Sequence, residues 1–161
     1  MAQDKPVYEA VDEFPQLASA LVEKYPEVFY GIEVSKIRCV KITNKDRKET
    51  KQKKFETQPV KMPVLMDAPY GWYITVWHNF WDGYTENQKL LLISDALHDI
   101  PTNPVEDEGK VVPCDVKAHS TMVRTFKGID YLDDPDIPHL LNDQIEWVTS
   151  RNVIEDAQTD D

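Results

Sequence analysis

Residues 70–100 read YGWYITVWHNFWDGYTENQKLLLISDALHDI, and the change of period halfway through this stretch decides the fold class. In its first half Trp72, Ile74 and Val76 alternate with Tyr73, Thr75 and Trp77. Aromatic and β-branched residues at period two form a strand, and the apolar character of both series predicts cover on both faces. Thr85 and Gln88 then supply the S/T-x-x-E/Q spacing of a capping box. The apolar run behind them predicts a buried helix. It has to end before Pro101, because the residue preceding a proline is pushed out of helical geometry.

Working outward, Pro15 to Tyr25 carries Leu17, Ala18, Leu21 and Val22 at the spacing of an amphipathic helix, opened by Pro15 and stopped by Pro26. Ile32 to Ile42 alternates but slips phase between Val34 and Ile37, which predicts a strand with a bulge or turn at Ser35 and Lys36. The stretch that follows, KITNKDRKETKQKK at 41–54, is expected to be an exposed hairpin loop. Thr57 to Ala68, punctuated by Pro59 and Pro63, fits an edge strand or an extended segment. After an acidic loop at 102–109, a second helix is predicted from about Pro113 to Lys127, with Val116, His119, Val123 and Phe126 on one stripe and Gly128 as its cap. A short helix around Pro138 to Val148 would pack Leu140, Leu141, Ile145 and Trp147 on the body. The expected architecture is one α+β domain over residues 1–150, a small and mainly antiparallel sheet with helices packed on it, and an acidic, frayed tail at 151–161.

Composition narrows the function classes. The chain has 161 residues, 41% of them hydrophobic, enough for one core. It contains no run of eighteen apolar residues, and MAQDKPVYEA lacks the regions of a signal peptide, so a soluble protein of the cytoplasm or of a virion is expected, without a membrane. Cys39 and Cys114 are too few for a disulfide framework. The net charge of −11 is uneven: residues 41–54 hold seven Lys or Arg against Asp46 and Glu49, for +5, leaving −16 on the rest. From Asp130 to Asp161 ten carboxylates face the single Arg151. Such a surface repels nucleic acid and anionic membranes and attracts a basic protein partner. The exception is the basic stretch, which could contact phosphates with Phe55 stacking on a base, but the surrounding charge opposes it. There is no nucleophile elbow, phosphate-cradling glycine loop, C-x-x-C pair or dinucleotide fingerprint.

One motif bears on chemistry. Ser94-Asp95-Ala96-Leu97-His98 occupies the register in which a zinc hydrolase carries H-E-x-x-H, two histidines one turn apart on a helix with a glutamate between them as general base. Together with YGWYITVWHNFW and the later GKVVPCDVKAHSTMVRTFKGI, this segment resembles the phage metallopeptidase family related to the SprT-like zincins, over roughly Phe14 to Leu132. The resemblance implies a zincin-like fold and aligns the family's residues one by one. Its first His falls on Ser94, its catalytic Glu on Asp95 and its second His on His98. In the later motif the family's His falls on Cys114, its Asp on Asp115, its Glu pair on Lys117 and Ala118, and its Phe on His119.

Only His98 and Asp115 are unchanged. A zinc hydrolase needs three good ligands, an open coordination position and a base within reach of the bound water. Ser94 is a poor ligand, and Asp95 is one methylene too short for the base position. Two explanations stay open. In one, catalysis has been lost and no cofactor is held: Asp95, His98, Asp115 and His119 persist as buried carboxylate–imidazole pairs across the helix contact, and the protein works by binding a basic host or phage protein. In the other, His98, Cys114, Asp115 and His119 form a reassigned zinc site of a hydrolase. A third possibility is an acidic inhibitor that mimics DNA, for which Asp130 to Asp136 offers four carboxylates in seven residues. His78 and His139 are expected to be a strand-end side chain and a local salt link.

Overall fold

A strand with apolar side chains on both faces belongs inside a sheet, and Trp72–Trp77 is an interior strand. In the computed structural model, which describes residues 5–48, 53–61, 63–66, 70–101, 119–127 and 131–148, the elements follow in the order β1 (Tyr8–Ala10), α1 (Phe14–Lys24), β2 (Ile37–Ile42), β3 (Phe55–Pro59), β4 (Trp72–Trp77), the single-turn α2 (His78–Trp81), α3 (Glu86–Leu97) and α4 (Ser120–Phe126). Short 3-10 turns lie at Val34–Lys36, Val64–Met66 and Tyr131–Asp133. The phase slip before Ile37 is the first of these turns. Among the described residues no helix is long and apolar enough to cross a membrane.

The four strands form one sheet in the order β1-β2-β4-β3. β1 runs antiparallel to β2, and β3 antiparallel to β4. The longest pairing, from Ile37 opposite Trp72 to Ile42 opposite Trp77, is parallel. The sheet is therefore mixed, with two antiparallel pairings and one parallel pairing at its centre, and the fold is α+β. A parallel pair needs a long connection, and residues 43–71 provide it. This corrects the hairpin expected at 41–54. β2 and β3 do not pair, because β4 lies between them, and Arg47 of the basic stretch instead lies against the end of β4. There Arg47 stacks on Trp77 with its guanidinium 4.4 Å from the ring centre. It also bonds Glu56 Oε1 (3.1 Å) and the Lys53 carbonyl (2.7 Å). Phe55, considered above as a base-stacking residue, is buried at 2% exposure in the core.

The inner face of β4, Trp72, Ile74 and Val76, packs with α1 and α3. Helix α1 buries Phe14, Ala18 and Leu21. Helix α3 begins with the expected capping box, in which the Thr85 side chain accepts from the Gln88 backbone N–H and Gln88 accepts from that of Thr85. It then runs through eight consecutive buried residues, Leu90 to Leu97. A helix covered all round lies within the core. Helix α4 starts at Ser120, later than the helix expected from Pro113: His119, placed on its stripe from the sequence, is instead the extended residue that precedes it, and residues 113–118 fall outside the described residues. Its closing residue is Lys127, in the left-handed region at φ 58° where glycine is usual. Lys127→Gly is accordingly expected to raise the unfolding free energy by about 1 kcal/mol in urea titrations.

No helix forms around Pro138–Val148; the segment is a series of turns, yet Leu140, Ile145 and Trp147 are buried. Its backbone finds side-chain partners instead of helical ones. Lys24 Nζ donates to the carbonyls of Leu140 (3.0 Å), Leu141 (2.8 Å) and Asp143. The Tyr25 hydroxyl donates to Leu140 O at 2.6 Å, and Asn87 accepts from the Leu140 N–H at 2.9 Å. Long-range bonds of this kind satisfy the carbonyls that a helix would otherwise need to pair.

Candidate functional site

Helix α3 delivers Ser94, Asp95 and His98 to its C-terminal end, where the chain turns through Asp99 and Ile100 before Pro101. Ser94 and Asp95 are buried at 0% and 3% exposure. A buried carboxylate is costly unless bonded, and Asp95 Oδ2 accepts a hydrogen bond from the Tyr131 hydroxyl. Its Oδ1 and the Ser94 Oγ have no hydrogen-bond partner among the described residues. His98 donates its Nδ1–H to the Ser94 carbonyl, one turn back, at 2.6 Å. The ring stands edge-on to Phe29, 5.5 Å between centres, and is 5.7 Å from the ring of His119.

His119, the residue before α4, is buried at 6% exposure and meets α3 through Asp99. The Nε2–Oδ1 distance is 2.6 Å. Lys53, two residues before β3, brings its ammonium to 3.8 Å from the same Asp99 oxygen. The site is thus two carboxylates one turn apart, each with its own partner: Tyr131 on Asp95, and His119 with Lys53 on Asp99.

Burial pushes the Asp95 carboxyl above its ordinary value, against the Tyr131 hydrogen bond and the charges of His119 and Lys53, with Asp99 adding to the rise. Burial and the neighbouring Asp95 likewise push the Tyr131 phenol well up. A carboxyl raised on folding takes up a proton there. Its contribution to stability is full below the unfolded value, near 3.8, and is lost as pH rises through the raised folded value. Asp95→Asn removes that loss while keeping an oxygen for Tyr131. The variant is expected to be more stable than the parent near neutral pH, with the difference closing as acid is added, in urea midpoints measured across pH. A variant less stable than the parent at neutral pH would mean that the charged carboxylate is favoured.

The structure brings Asp95, His98 and His119 together. Cys114 and Asp115 lie outside the described residues. Asp99, Tyr131 and Lys53 were not picked out from the sequence, although Asp99, four residues after Asp95, repeats the carboxylate one turn on. His78 pairs with Asp46 at 2.7 Å and His139 faces Glu86 at 3.4 Å, both away from this cluster. Cys39 is a buried thiol in β2, its ionisation pushed up by burial.

For a zinc centre the described donors fit poorly. His119 is held by Asp99 and Asp95 by Tyr131, and among the described residues no three His, Cys, Asp or Glu side chains group as they would around a metal ion. Compared with family models, with curated proteins and with solved structures, the chain matches none.

Proposed function

We propose that this chain is a catalytically silent homologue of the phage metallopeptidase family that it resembles, zincin-like in descent, and that it works by binding a protein partner. One observation supports the reading above the others: the carboxylate at the base position of the hydrolase register is enclosed and carries the Tyr131 hydroxyl, and the neighbouring Asp99 is engaged with His119. A general base has to touch the water or substrate it deprotonates. Asp95, Asp99 and His119 are at most 6% exposed, so a peptide bond has no approach to them. They serve instead to tie α3, the approach to α4 and the Tyr131 turn into one unit.

The test is an assay of the purified chain with added zinc on an unfolded substrate such as casein. Cleavage no faster than in buffer is expected, and the same from His98→Ala. Metal-dependent cleavage that His98→Ala abolishes would overturn the proposal in favour of a hydrolase with reassigned ligands.

A further inference from the structure

The helices cover one face of the sheet, and the other carries a groove whose floor is recessed, with Ile42, Thr75 and Trp77 each under 10% exposed. On that outer face Tyr8, Ile42 and Trp77 stand in one cross-strand row. Val40, Thr75 and Glu56 form the next row. With the loop at 45–48 as a wall, these rows make an open groove of about 660 Å³. We propose that this groove docks an acidic protein segment carrying an apolar side chain, so that Lys45 and Lys48 receive a partner's carboxylates while the aliphatic floor receives the apolar group. The inference rests on the preceding reading and names the surface through which that binding would occur.

Charge decides the chemistry of the occupant. The groove has three cations and two carboxylates around it, but the carboxylates are already engaged. Asp46 is paired with His78 at 2.7 Å and Glu56 with Arg47 at 3.1 Å. Lys45 and Lys48 are exposed, and among the described residues neither is ion-paired. On a chain that carries −16 outside residues 41–54, this rim is where an anionic segment meets a favourable field. Screening confines the effect to about 8 Å at physiological salt, so the acidic remainder of the surface does not cancel it.

The floor favours protein over single-stranded nucleic acid. Stacking platforms need open aromatic faces, and the ring face of Trp77 is occupied by Arg47. The floor between Tyr8 and Tyr73 is Val40, Ile42 and Thr75, which suits an apolar side chain, and of the rings around the groove only that of Tyr8 is largely exposed, one ring rather than a run of them. The volume falls within the range of about 300–1,000 Å³ found for sites that enclose a small group, enough for one or two side chains.

The test uses the full chain and a fluorescein-labelled random copolymer of glutamate and tyrosine, followed by fluorescence anisotropy. Binding is expected at low salt, weakened by about 0.5 M salt. The reversal Lys45→Glu with Lys48→Glu should weaken it by about tenfold or more. Lys36→Glu with Lys61→Glu, which changes net charge equally at exposed positions beside the other end of β2 and β3, should change it by less than about twofold. Circular dichroism of each variant checks that it is folded. No anisotropy change with the parent chain would overturn the proposal, as would equal losses in the two reversals. So would tighter binding of a thymidine dodecamer that the groove reversal abolishes. Copolymer that stays intact but unbound counts against the groove alone, whereas zinc-dependent shortening of the copolymer on a gel would overturn the silent-hydrolase reading.

Discussion

His119→Ala is expected to destabilise the chain by about 3 kcal/mol, read as a lowered urea midpoint with an unchanged slope. The imidazole and the Asp99 carboxylate meet at 2.6 Å with both side chains under 10% exposed. Removing one partner of such a pair leaves a desolvated charge, which costs about 3–5 kcal/mol. Lys53 at 3.8 Å from Asp99 remains as a weaker partner and holds the loss to the lower end of that range. Replacing both members with apolar residues, Asp99→Leu with His119→Phe, is expected to return stability to within about 1 kcal/mol of the parent, because a buried ion pair gains little over well-packed apolar groups. A single variant that loses less than about 1 kcal/mol would mean that the pair does not hold α4 to α3.

Trp72→Ala is expected to cost about 3–5 kcal/mol, the usual loss when a large aromatic is deleted from a core. Trp72 is 2% exposed on the inner face of β4, between Ile37 of β2 and Pro59 of β3. Domains are stable by only about 5–15 kcal/mol in total, so this variant should sit near its unfolding threshold. The neighbouring Tyr73 points to the opposite face and is half-buried. Tyr73→Ala should therefore cost under about 1.5 kcal/mol. Equal losses at the two positions would contradict a core that lies on the helix-covered face of the sheet.

Local signals were the legible part of this fold. The capping box at Thr85 and Gln88, the stripe of α1 and the alternation of β4 each involve residues within one or two turns or pleats of one another. What was not legible depends on distant partners. β1 is only three residues long and is specified by its pairing with β2. The parallel register of β2 and β4 leaves the same burial pattern as an antiparallel one. The segment 138–148 has apolar spacing that suits a helix, but Lys24, Tyr25 and Asn87, more than fifty residues away, take its backbone groups. The same holds in the candidate site. Asp95, His98 and His119 could be singled out from the motif and the stripe, whereas the partners that engage two of them, Tyr131 on Asp95 and Asp99 on His119, are 36 and 20 residues away.

The central claim is that the polar groups at the end of α3 hold the fold together and do not hold a catalytic metal. Thermal melting of the purified chain with excess zinc and with a chelator, alongside measurement of bound metal, tests it directly. The expected result is a melting temperature that agrees within about 1 °C between the two conditions, with well under one zinc retained per chain. A ligand at a hundred times its dissociation constant adds about 2.7 kcal/mol, which for a chain of this size is a rise of about 5–10 °C. A rise of that size, with about one zinc bound per chain and abolished by His98→Ala, would contradict the claim.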